Sequence, residues 1–67
     1  MTDTKRLEEL ISSKGLKSTY IAERLGITYQ SFWGKMAGKR QFRINEIVAL
    51  REILGLTKAE TYDIFLG

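Results

Sequence analysis

Of the side chains that carry most enzymatic and metal chemistry, this sequence has neither cysteine nor histidine. Disulfides, thiolate nucleophiles, most zinc sites and the commonest general base are thereby removed together. Two carboxylate pairs remain, Glu8 with Glu9 and Glu60 with Asp63. They fall on helix surfaces of a small domain that implies no cleft, so surface charge explains them. No catalytic, metal or cofactor site is expected.

The cations are more informative, because they cluster. Between Lys14 and Arg43 stand seven bases (Lys14, Lys17, Arg24, Lys35, Lys39, Arg40, Arg43) against the single acid Glu23, a net +6. The first thirteen residues carry a net −1, and the chain from Ile44 onward a net −2. A basic centre between mildly acidic ends suits a polyanion better than a membrane surface, which would need a strongly basic amphipathic helix.

Positioning those charges falls to five short helices. Leu7, Leu10 and Ile11 have the i, i+3, i+4 spacing of an amphipathic helix over about 3–13, with Gly15 as its stop. Leu16 returns to the core. Ser18 is a candidate N-cap for a helix over about 18–25, whose inward face is Ile21, Ala22 and Leu25. Gly26 ends it, Ile27 occupies the turn, and Thr28 caps a third helix over about 28–37. Phe32 and Met36 face the core there, and Gln30 and Gly34 fall on the opposite side. Gly38-Lys39-Arg40-Gln41 forms a polar loop, with Phe42 tucked inward. Ile44, Ile47, Leu50 and Leu54, widened by Val48 and Ile53, predict a fourth helix over about 44–54. Gly55 ends that helix, and Thr57 caps a fifth over about 58–66. There Ala59, Tyr62, Phe65 and Leu66 share a face, while Ile64 points elsewhere, beside Glu60. No strand alternation is present.

The stretch Ala22-x-x-x-Gly26-Ile27-Thr28, followed by Phe32, Met36 and Gly38-Lys39, is the informative one. Two helices joined by a short glycine-containing turn make a helix-turn-helix. Ala22 is small where the helices touch, Gly26 tolerates the left-handed turn, and Ile27 pins the turn to the core. At these residues the sequence resembles the lambda-repressor/Cro-like family of helix-turn-helix regulators, without a gap from Leu16 to Leu54-Gly55-Leu56. Ser31-Phe32-x-x-Lys35-Met36-x-Gly38-Lys39 and the Ile64-Phe65 tail are most similar to short phage Cro-type repressors of Gram-positive hosts. The resemblance implies an all-α, five-helix, single-domain protein over residues 1–67, its third helix lying in the DNA major groove. Two departures stand out. Lys17 and Arg43 occupy positions where the family often has a capping threonine, so helices two and four are expected to fray at their starts. Ser18 stands where a phosphate-clamping glutamine is common.

By that geometry, base contacts come from Thr28, Tyr29, Gln30, Trp33 and Gly34. Gln30 leads, since its amide can pair bidentately with adenine. Tyr29 and Trp33 lie at the edge of the core stripe, a place that suits burial and DNA contact alike. Gly34 has no side chain to offer, which close approach to the groove floor would explain. Phosphate contacts are expected from Lys17, Ser18, Lys35, Lys39, Arg40 and Arg43, and on this reading Arg40→Ala weakens all sequences alike.

One recognition helix reads few base pairs, so a homodimer on half-sites is expected, with Tyr62, Ile64, Phe65 and Leu66 as its interface. No room is left for a small-molecule effector domain. The charged amino terminus is not that of a signal peptide, and no apolar run approaches the roughly 18 residues that span a bilayer, so a cytoplasmic protein is expected. The competing reading is a helix-turn-helix interaction protein that modulates another regulator by protein–protein contact.

Overall fold

The computed structural model describes residues 1–67 as five helices with no strand: α1 (Thr4–Ser13), α2 (Ser18–Leu25), α3 (Tyr29–Met36), α4 (Ile44–Leu54) and α5 (Lys58–Phe65). No helix is long and apolar enough to cross a membrane. Each expected helix is present; six of the ten ends coincide and four shift by one residue. Thr28 and Leu66 are caps rather than helical residues.

Local chemistry accounts for the starts. Asp3 accepts from the Arg6 N–H at 3.1 Å, and Thr28 Oγ1 accepts from the Ser31 N–H at 3.0 Å. Thr57 and Glu60 cap each other reciprocally, at 3.1 and 2.9 Å. Each bond satisfies a backbone donor that has no partner within the helix. Ser18 is the first helical residue of α2 rather than its cap; that place belongs to Lys17, whose side chain makes no capping bond. The start of α4 is better held than its arginine suggested. Glu46, three residues in, accepts from the Arg43 N–H at 2.8 Å. A carboxylate reaching back thus replaces the threonine.

The helix ends share one device. Leu16, Ile27, Lys39 and Leu56 each donate a backbone N–H to the carbonyl five residues earlier, at 2.9–3.1 Å. The residue before each is a glycine. At Gly26 and Gly38 the φ values of 72° and 80° show why: a side chain there would be strained. After α1, α2 and α4 the donor is apolar and packs on the core, which fixes the path of the next segment. After α3 it is Lys39, so that loop is left polar and outside.

The core gathers side chains from every helix. Leu7, Ile21, Phe32, Leu50 and Ile64 are completely buried, and Ile11, Ala22, Leu25, Met36, Leu54, Leu56 and Phe65 nearly so. Phe42 is the expected inward residue of the loop. It meets Phe32 and Phe65 edge to face, at centroid separations of 6.4 and 5.9 Å, tying α3 to α5. α2 packs on α3 and α4, while α5 packs on α1 and α4.

Two apolar faces differ from their expected directions. In α4, Ile44 is 78 % exposed and Val48 is half exposed, whereas Leu50 and Leu54 carry the core contacts. In the first turn of α4 the inward side chains are Glu46 and Ile47 rather than Ile44. In α5 the inward residues are Ile64 and Phe65, with Ala59, Tyr62 and Leu66 outside. The inward stripe begins at the polar residues Glu60 and Thr61, which concealed its period. The Asp3 N–H donates to the Ile64 carbonyl at 2.6 Å, anchoring that face of α5 against the start of α1.

Candidate functional site

The α2–α3 unit consists of two eight-residue helices separated by Gly26, Ile27 and Thr28. Ala22 is buried where the helices meet, and Ile27 packs against the core. With Phe32 and Met36 directed inward, α3 presents Tyr29, Gln30, Trp33 and Gly34 on its remaining surface. Thr28 is exposed, but its hydroxyl oxygen is engaged by the Ser31 N–H.

Tyr29 and Trp33 take an intermediate place. Trp33 lies edge to face against both Phe32 and Tyr29, at 5.7 and 6.1 Å, and stays 37 % exposed. One flank of the indole completes the core and the other is open. The pair therefore forms a stiff aromatic ledge beside Gln30, able to stack or pack against a ligand at little loss of rotamer freedom.

Lys35 departs furthest from its expected role. It is buried, and its Nζ donates to both carboxylate oxygens of Glu46, at 2.5 and 2.6 Å. An ammonium enclosed this way is not available to a phosphate. The cause is helical geometry: Lys35 lies about 60° around α3 from Phe32, on the side opposite Met36, and so falls at the edge of the inward face. Glu46 is also buried, and burial pushes its carboxyl up. The Arg43 N–H and the Lys35 ammonium outweigh that effect and hold it below the ordinary carboxylate value. The pair joins α3 to the start of α4.

Lys39, Arg40 and Arg43 are exposed, as is Lys17, and Ser18 is half-buried at the first turn of α2. The only ion pair in the molecule is Lys35–Glu46, so none of these cations is matched by a carboxylate. An open cleft between the α2–α3 turn and the start of α4 is lined by Gly26, Ile27, Ser31, Arg40, Gln41, Arg43 and Asn45, with Lys35 and Glu46 beneath. Its exposed charges are all positive.

Gly34 has a neighbour that the sequence did not reveal. A β-carbon at this position would lie 3.3 Å from Arg40 Nη2 and 3.7 Å from its Nε. The arginine side chain runs back over the helix. Gly34→Ala is expected to raise the stability by about 0.5–1 kcal/mol, since alanine is the better helix former and the methyl group meets only the flexible end of an exposed side chain. A thermal melt checks this. A lower midpoint would mean that the guanidinium cannot shift by the few tenths of an ångström required.

Of the four residues expected at a dimer interface, two are open to solvent. Tyr62 and Leu66 are exposed, but Ile64 is completely buried and Phe65 nearly so, and both are committed to the core. Ile44, remote in sequence, joins Tyr62 and Leu66 in lining an apolar groove between α4 and α5, flanked by Arg51 and Lys58. The carboxylate pairs lie elsewhere. Glu8 and Glu9 border an open surface of α1 with no apolar lining, and Glu60 is engaged in capping α5. No cluster of three or more acidic side chains is placed to hold a metal ion.

The Lys35–Glu46 pair was legible in part: Lys35 falls on the core side of α3, and Glu46 is three residues past the start of α4, where a carboxylate reaches back to the cap. Nothing in the sequence signalled the approach of Arg40 to Gly34. Comparison with protein-family models, with curated proteins and with solved structures finds no match to this chain.

Proposed function

We propose that the protein is a sequence-specific double-stranded-DNA-binding transcriptional regulator, a Cro-like repressor of the phage type that acts by occupying an operator. The observation that carries this reading is the exposed surface of α3. It presents an amide, two aromatic edges and a guanidinium, without a carboxylate, beside unpaired Lys39 and Arg43. The acid nearest those cations, Glu46, is already neutralised by Lys35. A polyanion therefore meets a surface of one sign.

On this proposal α3 enters the major groove, Gln30 pairs with an adenine edge, and Tyr29 and Trp33 pack against the backbone or a thymine methyl. Lys17, Ser18, Lys39 and Arg43 hold phosphates and set the register without reading sequence. Two copies on adjacent half-sites supply enough base pairs for discrimination, with Tyr62, Leu66 and Ile44 as the contact between them. The function is binding, with no chemical step and no cofactor.

Gln30→Ala is expected to cost about 1–3 kcal/mol of discrimination at one base pair per half-site while leaving non-specific affinity in place. Competition binding with single-base variants of the site measures it. An unchanged base preference would transfer the readout to Tyr29 or Trp33.

One observation favours a second reading, in which the chain binds another regulator. Ile44, Val48, Tyr62 and Leu66 leave apolar surface uncovered on α4 and α5. Failure to select any DNA sequence, together with loss of partner binding in Ile44→Ser, would support it.

A further inference from the structure

Gly34 lies about 200° around α3 from Phe32, on the side of the helix away from the core. Gln30 is on the same side, one turn earlier. A side chain at position 34 would be the one projecting furthest into anything docked against α3, and glycine supplies none.

Another residue fills that space. Nη2, Nε and Cζ of Arg40 lie 3.3, 3.7 and 3.9 Å from where a β-carbon of residue 34 would be. The route is set by the backbone. Gly38 turns the chain at a φ of 80°, and the Lys39 N–H bonds to the Gly34 carbonyl at 2.9 Å, so the loop doubles back onto the end of α3. No carboxylate holds the guanidinium, because the single ion pair of the molecule is elsewhere.

We infer that Arg40 is a specificity-determining residue whose guanidinium, seated on the bare flank of Gly34, reads a guanine beside the base pair read by Gln30. The inference rests on the DNA-binding reading above and deepens it. A cation that serves only as a phosphate clamp belongs at the rim of the surface, whereas this guanidinium reaches from the cleft beside α4 to the outward-facing position of Gly34. Guanine presents two acceptors, O6 and N7, to the major groove, and the planar fork of an arginine matches them bidentately. Side chains four residues apart on a helix are about 6 Å apart, and successive base pairs about 3.4 Å. Gln30 and Arg40 therefore address base pairs one or two steps apart. The role first expected for Arg40, a contact indifferent to sequence, is replaced by a base contact.

The test is selection of duplexes from a random DNA pool by the wild-type protein and by Gln30→Ala, Arg40→Ala and Gly34→Met, each confirmed as folded by its helical circular dichroism. The wild type should enrich a site with a guanine one or two base pairs from the position that Gln30→Ala flattens. Arg40→Ala should lose about ten- to a hundredfold of the preference for that guanine and keep the rest of the consensus. Gly34→Met keeps Arg40 but fills its seat, and should flatten the same base pair. An Arg40→Ala protein that binds every duplex more weakly with an unchanged consensus would overturn the inference and leave the DNA-binding reading standing. A wild-type protein that enriches no sequence would overturn both.

Discussion

Glu46→Gln is expected to destabilise the protein by about 3–5 kcal/mol, because it leaves the Lys35 ammonium buried without its counter-charge. Domains have about 0.05–0.15 kcal/mol of stability per residue, so a 67-residue chain holds about 3–10 kcal/mol in all. One amide for one carboxylate is thus enough to unfold a large share of the molecules at ambient temperature. The double variant Lys35→Met with Glu46→Gln removes the stranded charge, and should recover at least half of the loss. The introduced amide oxygen would still accept from the Arg43 N–H. Urea denaturation of both singles and the double measures the coupling. Additive losses would show that the pair contributes no more than two independent side chains.

The same carboxylate sets part of the acid response. Its folded pKa lies below the ordinary value of 4.5. The stability it contributes is therefore complete above about pH 4.5, and is lost as pH falls through the folded pKa. Glu60, held low by its bond from the Thr57 N–H, acts in the same direction. Glu46→Gln should remove its share of this acid limb and leave that of Glu60.

The second large effect concerns salt. With Lys17, Lys39 and Arg43 on phosphates in each of two protomers, six contacts release about 0.9 counterion each, for a log–log slope of about −5. Affinity for duplex DNA should then fall about a thousandfold between 50 and 200 mM monovalent salt. Arg43→Ala should make the slope shallower by about two per dimer and weaken all sequences alike. Titration of a labelled duplex at several salt concentrations measures both. A slope near zero would remove the polyanion from the account.

The helices were legible because their punctuation is local. Asp3, Thr28 and Thr57 are short acceptors at helix starts, and Gly15, Gly26, Gly38 and Gly55 close their ends, so the boundaries follow from neighbouring residues alone. What the sequence concealed is non-local. Lys35 falls on the core side of α3, but the carboxylate that holds its charge there comes from α4, eleven residues on. The face of α5 was misread because Glu60 and Thr61 carry its inward stripe, while Tyr62 and Leu66 mimic an apolar one. Ile44 and Val48 look like part of the apolar stripe of α4 but lie about 120° and 160° around the helix from Leu50, which leaves both exposed. Arg40 reaches Gly34 only because of the path taken by the loop between α3 and α4, which no periodicity records. The positions of Gln30, Tyr29 and Trp33 needed only the direction of Phe32 and Met36, and these were fixed by spacing.

Sequence-specific recognition of DNA through α3 is tested most directly by selecting bound duplexes from a random pool at near-physiological salt and sequencing the survivors. The account predicts an enriched, two-fold symmetric site with half-sites about one helical turn apart, whose preference Gln30→Ala weakens at one base pair in each half. A pool that returns without enrichment, with binding that depends only on salt, would contradict it.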